Sequence, residues 1–148
     1  MAEYVYNDVQ TVQPNQNVIL RDSIPCNRGY VLHRNESGIV TLRGIVNNPC
    51  GCFARYQVTF NGNIALPETG TVTPISLALA IDGEPILTSK AIVTPAAVDE
   101  YFNVTSTAYI TVPAGCCFNL SLENVAAGDT AAIPVNIQNA NLVVSREA

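Results

Sequence analysis

The chain has 148 residues, a length that fits one domain with a core large enough to stand without metal or disulfide staples. Charged residues make up 13% of it, against roughly 25% in ordinary soluble domains, and its net charge of −5 leaves no basic stripe for releasing counterions from a nucleic acid. No apolar run approaches the roughly 20 residues that a membrane span needs, so neither nucleic acid nor membrane is expected as a partner.

Residues 4–12 read as a strand, ended by the turn formers Pro14, Asn15, Gln16 and Asn17; residues 18–21 and 38–43 are short apolar runs consistent with two more. The pattern is weak over residues 23–35, and the stretch NNPCGC (47–52) breaks the chain before its most regular part. The expected division is therefore an N-terminal β-rich arm or small subdomain over residues 1–48 and a sandwich head over 49–148.

Within the head the period-two signal is long. Over residues 53–66 the even positions Ala54, Tyr56, Val58, Phe60, Ile64 and Leu66 alternate with Arg55, Gln57, Thr59, Asn61 and Asn63, which puts one face in a core and the other toward water or a partner. Over residues 75–81 bulky Ile75, Leu77, Leu79 and Ile81 alternate with small Ser76, Ala78 and Ala80. Asp82-Gly83 is suited to the positive backbone angles of a hairpin turn, and residues 86–93 read as the return strand.

In the next strand Phe102, Val104, Ala108, Ile110 and Val112 line one face opposite Tyr101, Asn103, Thr105, Thr107, Tyr109 and Thr111, before the turn at Pro113 to Gly115. Residues 117–123, 133–137 and 140–144 supply the last strands. Nothing sustains a helical period, so the fold class is all-β: an antiparallel β-sandwich of eight or more strands, closed as a jelly roll that hides most of its edges.

Six arginines and one lysine, Lys90, favour burial of surface between subunits, because interfaces select Arg and deplete Lys. The segment MAEYVYND lacks the basic and apolar regions of a secretory leader, which predicts folding in a cytosol. On that expectation the Asn-X-Ser/Thr triplets at Asn35, Asn103 and Asn119 are polar strand and turn residues rather than glycosylation sites.

The five cysteines, Cys26, Cys50, Cys52, Cys116 and Cys117, have C-G-C and C-C spacings and one histidine, His33, for company, which is not a zinc pattern. Two readings stay open: cross-links within or between subunits formed once the particle meets an oxidising exterior, or five buried free thiols. No cofactor or metal is expected.

The segments RYQVTFNGNIA (55–65), TVTPISLALAIDGEP (71–85), YFNV (101–104), VPAGCC (112–117) and NANLVVSR (139–146) resemble a family of bacterial and phage jelly-roll domains. That family is similar to the C-terminal domains of collagen-like spore-surface glycoproteins and looks like the tumour-necrosis-factor (TNF) and C1q fold. The resemblance spans residues 52–148 and implies a compact homotrimer around an apolar axis with the chain termini close together at its base. A Gly-X-Y collagen stalk is missing from the sequence, which argues against the spore-surface role itself.

Catalytic chemistry finds little to work with. His33 lies in the weakly patterned third and reads as a surface or interface residue; Asp99 and Glu100 fall on opposite strand faces and read as solvated. Neither a nucleophile elbow nor a glycine-rich phosphate cradle occurs. Tyr101 and Tyr109 on the polar face are candidates for stacking on sugar rings. The expected role is that of a non-enzymatic structural protein of a virion, assembled in the host cytoplasm, trimerising with itself and decorating a tailed-phage capsid through its major capsid protein. Tyr4, Val5, Tyr6 and Val9 would be an anchoring strand added to a neighbour's sheet. The alternatives are a spore or cell-surface filament joined by N-terminal strand exchange and disulfides, and a carbohydrate-binding module.

Overall fold

The computed structural model describes residues 2–24, 31–33, 36–44, 53–115, 117–128 and 131–147. Among the described residues twelve strands run in the order β1 (Ala2–Tyr6), β2 (Gln10–Val12), β3 (Asp22–Ile24), β4 (Val31–His33), β5 (Ile39–Arg43), β6 (Phe53–Ala65), β7 (Ile75–Ile81), β8 (Glu84–Pro85), β9 (Ala91–Val93), β10 (Phe102–Pro113), β11 (Cys117–Val125) and β12 (Val135–Arg146). One 3-10 turn, Leu87–Ser89, precedes β9.

These strands form two antiparallel sheets. Sheet A has the order β10-β6-β12-β1-β3, with β2 also paired to β12; sheet B has the order β4-β5-β11-β7-β8, with β9 also paired to β7. From β6 onward the long strands alternate between sheets, so β6, β10 and β12 lie in sheet A while β7 and β11 lie in sheet B. That crossing pattern is a jelly roll, and it lets both sheets bury one face against the other.

Period-two patterning does the positioning. Along β6 the side chains of Ala54, Tyr56, Val58, Phe60 and Ile64 are fully buried while Phe53, Arg55 and Asn61 are exposed. They meet Leu77, Leu79, Leu120 and Leu122 of sheet B in a single core cluster that also takes in Val104, Ile110, Leu142 and Val144. Tyr56 carries a polar handle into that core and satisfies it by donating from its hydroxyl to the Arg43 carbonyl, tying the start of β6 to the end of β5 in the opposite sheet. The Asp82-Gly83 turn forms as expected, with φ of 51° and 84° at its two residues.

The N-terminal third is not a separate arm. β1 lies between β12 and β3, paired from Ala2↔Val144 to Tyr6↔Ala140 on one side and from Glu3↔Ile24 to Val5↔Asp22 on the other. β5 is likewise paired to β11, and Tyr4, Val18, Leu20, Val40 and Leu42 belong to the common core. The division expected at residue 48 fails because the hydrophobic residues on its two sides complete one another's sheets. Pairing of Ala2 with Val144 also puts the two ends of the chain side by side.

Local differences have local causes. The strand expected over residues 4–12 is two strands, because β12 bulges between Gln138 and Asn141, with Asn139 at φ 58°, opposite the break at residues 7–9. Residues 18–21 are a linker that touches both sheets: the Val18 N–H donates to the Leu122 carbonyl of sheet B, and the Arg21 N–H donates to the Val5 carbonyl of sheet A. The return strand expected over 86–93 is interrupted where Ser89 turns inward, its hydroxyl receiving the Leu79 N–H at 2.9 Å and donating to the Ile86 carbonyl. The two strands expected over residues 133–137 and 140–144 are one bulged strand, β12, over Val135–Arg146.

Candidate self-association surface

Strands bury one face of sheet A, so the other is a platform whose composition is fixed by the alternate residues. On β10 these are Asn103, Thr105, Thr107, Tyr109 and Thr111; on β6, Arg55, Gln57, Thr59, Asn61 and Asn63; on β12, Asn141, Val143 and Ser145; on β1, Glu3 and Val5. Register lines them up across the sheet: Thr107, Thr59, Val143 and Glu3 make one row, and Thr105, Asn61, Asn141 and Val5 the next.

The rows are internally bonded. Thr59 and Thr107 hydroxyls lie 3.0 Å apart, the Asn103 amide donates to Asn61 Oδ1 at 2.7 Å and to Asn63 Oδ1 at 3.2 Å, and the Thr105 hydroxyl donates to Asn61 Oδ1 at 2.9 Å. Asn141 donates to the Glu3 carboxylate, and Arg55 places its guanidinium 5.6 Å from the Tyr109 ring centre. Glu3 and Arg55 are thus the charges that β1, β6, β10 and β12 present on this face, both held by neighbours. Amides and hydroxyls that already satisfy one another lose little on desolvation, so the platform is suited to being covered by protein.

The sequence-expected site residues are scattered over this fold. Tyr4 is fully buried, its ring 4.6 Å centroid to centroid from His33, and Tyr6 is half-buried with the Arg21 guanidinium 5.7 Å from its ring centre. Val5 faces outward beside Asn141, and Val9 is exposed beyond the end of β1. Among the described residues β1 is paired with β12 from Ala2 to Tyr6 and with β3 from Glu3 to Val5, so Tyr4, Val5 and Tyr6 are seated in a sheet of their own chain, while Val9 lies outside β1. His33 Nε2 lies 2.9 Å from the Ser37 carbonyl, a packing position rather than a cleft.

Tyr109 is 60% exposed and Tyr101, just before β10, is 39% exposed. Eight residues of extended chain separate them by about 26 Å, so one sugar ring does not reach both. Asp99 and Glu100 are exposed, with the Asp99 N–H held by the Leu66 carbonyl. Of the five cysteines, Cys26, Cys50, Cys52 and Cys116 lie outside the described residues, while Cys117 is an exposed free thiol at the start of β11. No group of three His, Cys, Asp or Glu side chains gathers to hold a metal among the described residues.

Two buried polar groups were not foreseen. Asn124 is fully enclosed and donates to both the Val12 carbonyl at 3.0 Å and the Ile133 carbonyl at 2.7 Å, joining β11 to the segments flanking sheet A. Glu123 is buried with Oε2 unpaired among the described groups; desolvation, and then the charge of Glu84, push its pKa above the ordinary carboxylate value. Both sit in β11 where both strand faces are covered, so alternation gives no sign of them.

No protein-family model matches this sequence, and no curated protein matches it. Solved structures match the fold over nearly its full length. The Eiger TNF of S. frugiperda superposes with a TM-score of 0.64 at 14% identity, covering 100% of this chain and 92% of that one. The globular domain of zebrafish complement 1qA protein gives 0.57 at 14% identity over 99% and 98%, and murine APRIL at pH 5.0 gives 0.55 at 7% identity over 93% and 97%. The chain is a jelly-roll sandwich like the C1q and TNF domains; at these identities the likeness is one of fold.

Proposed function

We propose that this protein is a non-enzymatic structural subunit that forms a homotrimer by turning the outer face of sheet A toward a three-fold axis. The observation that carries this reading is the amide and hydroxyl platform: four strands wide, self-bonded, with Glu3 and Arg55 as its charges. Copies with a net charge of −5 repel one another, and a platform nearly free of charge is where they meet at least cost. The C1q and TNF type of sandwich supports the same reading through the resemblance described above.

The particle that such a trimer decorates is, on the resemblance to bacterial and phage jelly-roll domains, the outside of a tailed-phage capsid, with the major capsid protein as its docking partner. Filament growth by N-terminal strand exchange is the weaker reading, because β1 is already seated in its own sheet. Co-sedimentation of the purified protein with phage capsids lacking it, followed by electron cryomicroscopy, tests the assignment. Three-fold densities on the capsid lattice are the expected result; binding to spores with no capsid binding would overturn it.

A further inference from the structure

β10 is an edge strand with unusual properties. It pairs with β6 without a register shift over twelve residues, from Phe102↔Ile64 to Pro113↔Phe53, and no other described strand pairs with it. Long edges are normally blunted by lysine, inward charge, proline or a bulge, because their unpaired N–H and C=O groups are a template for another strand. β10 contains no charged residue, no bulge against β6, and proline only at its last position.

Its sequence is also nearly symmetric about Thr107. Reading outward, Ser106 matches Ala108, Thr105 matches Tyr109, Val104 matches Ile110, Asn103 matches Thr111 and Phe102 matches Val112. Antiparallel pairing of β10 with itself, centred on Thr107, would therefore set small beside small and aliphatic beside aliphatic on the core side. On the outer side it would set Thr107 beside Thr107, Thr105 beside Tyr109 and the Asn103 amide beside the Thr111 hydroxyl. A two-fold axis at Thr107 satisfies this pairing for both copies at once.

We propose that β10 is a second assembly element, pairing antiparallel with β10 of another copy of this chain across a two-fold axis at Thr107 and joining the two A sheets into one. A second copy is the occupant because net-negative chains meet along an uncharged strand, and because the residue symmetry serves that pairing and no particular foreign strand. The pairing uses the hydrogen-bonding edge of β10, whereas the three-fold reading uses the outer face of sheet A, which the Thr107 side chain shares.

The test exploits the axis. Thr107 is exposed, so Thr107→Lys and Thr107→Glu leave the core untouched, yet each would place two like charges directly opposite one another in the pair. Masses of the full chain are measured by light scattering and sedimentation, with circular dichroism confirming the fold of each variant. An even number of chains is expected for wild type, loss of the even-numbered assembly for each variant alone, and its return when the two variants are mixed in equal amounts, because only then does an added lysine oppose an added glutamate across the axis. An odd wild-type number, variants of unchanged mass, or a mixture that fails to reassociate would overturn the pairing. Val143→Glu, beside Glu3 in the middle of the face, separates the two readings, since it removes three-fold association and leaves β10 pairs intact.

Discussion

Replacing Tyr4 with alanine tests whether the first strand is part of the sandwich or an appendage to it. Its ring is fully buried, packs against His33, and lies in a cluster drawn from both sheets. Truncating a large buried aromatic costs about 3–5 kcal/mol in lost transfer energy and cavity. In a chain of this length each kcal/mol moves the melting temperature by about 3 °C, so Tyr4→Ala is expected to lower it by about 12 °C. Differential scanning calorimetry at one fixed protein concentration reads the effect, since association also stabilises the folded state. A drop below about 3 °C, small against the ~3–5 kcal/mol expected, would mean that the N-terminal segment contributes no core, and the single-sandwich account would fall.

Glu123→Gln is expected to stabilise the protein near neutral pH. The folded-state pKa of Glu123 lies above its unfolded value, so the wild type gains stability relative to the variant as pH falls through the folded pKa toward the ordinary carboxylate value. Urea midpoints measured across that range should converge on acidification; divergence would remove burial as the cause. Asn124→Ala strands the Val12 and Ile133 carbonyls, and a loss of about 2 kcal/mol in the same denaturation assay is expected. Gly83→Ala meets no atom within 4 Å but keeps φ at 84°, so a penalty of about 1 kcal/mol from backbone strain alone is expected, and a neutral result would show the turn relaxing.

The sandwich was legible wherever alternation was long. Residues 53–66 gave the inward set of β6 correctly, and Asp82-Gly83 gave its turn, because side-chain period and positive φ are local properties. The placement of residues 1–43 was not legible, since what holds β1 and β5 is pairing with β12 and β11, about 140 residues away in the first case. β7 shows the same limit: Ser76, Ala78 and Ala80 alternate with larger residues yet are fully buried, because the tertiary setting covers both faces. The polar half of the outer face of sheet A was visible as alternate residues, but its bonding into rows depends on cross-strand register that no single segment contains.

The solution mass of the purified chain measures the central claim directly. Light scattering at micromolar concentration and physiological salt is expected to give a multiple of three chains of 15.8 kDa, with Val143→Glu reducing that number while its circular dichroism stays that of the wild type. A wild-type protein that stays monomeric under those conditions would contradict the claim that the outer face of sheet A exists to be covered by sister copies.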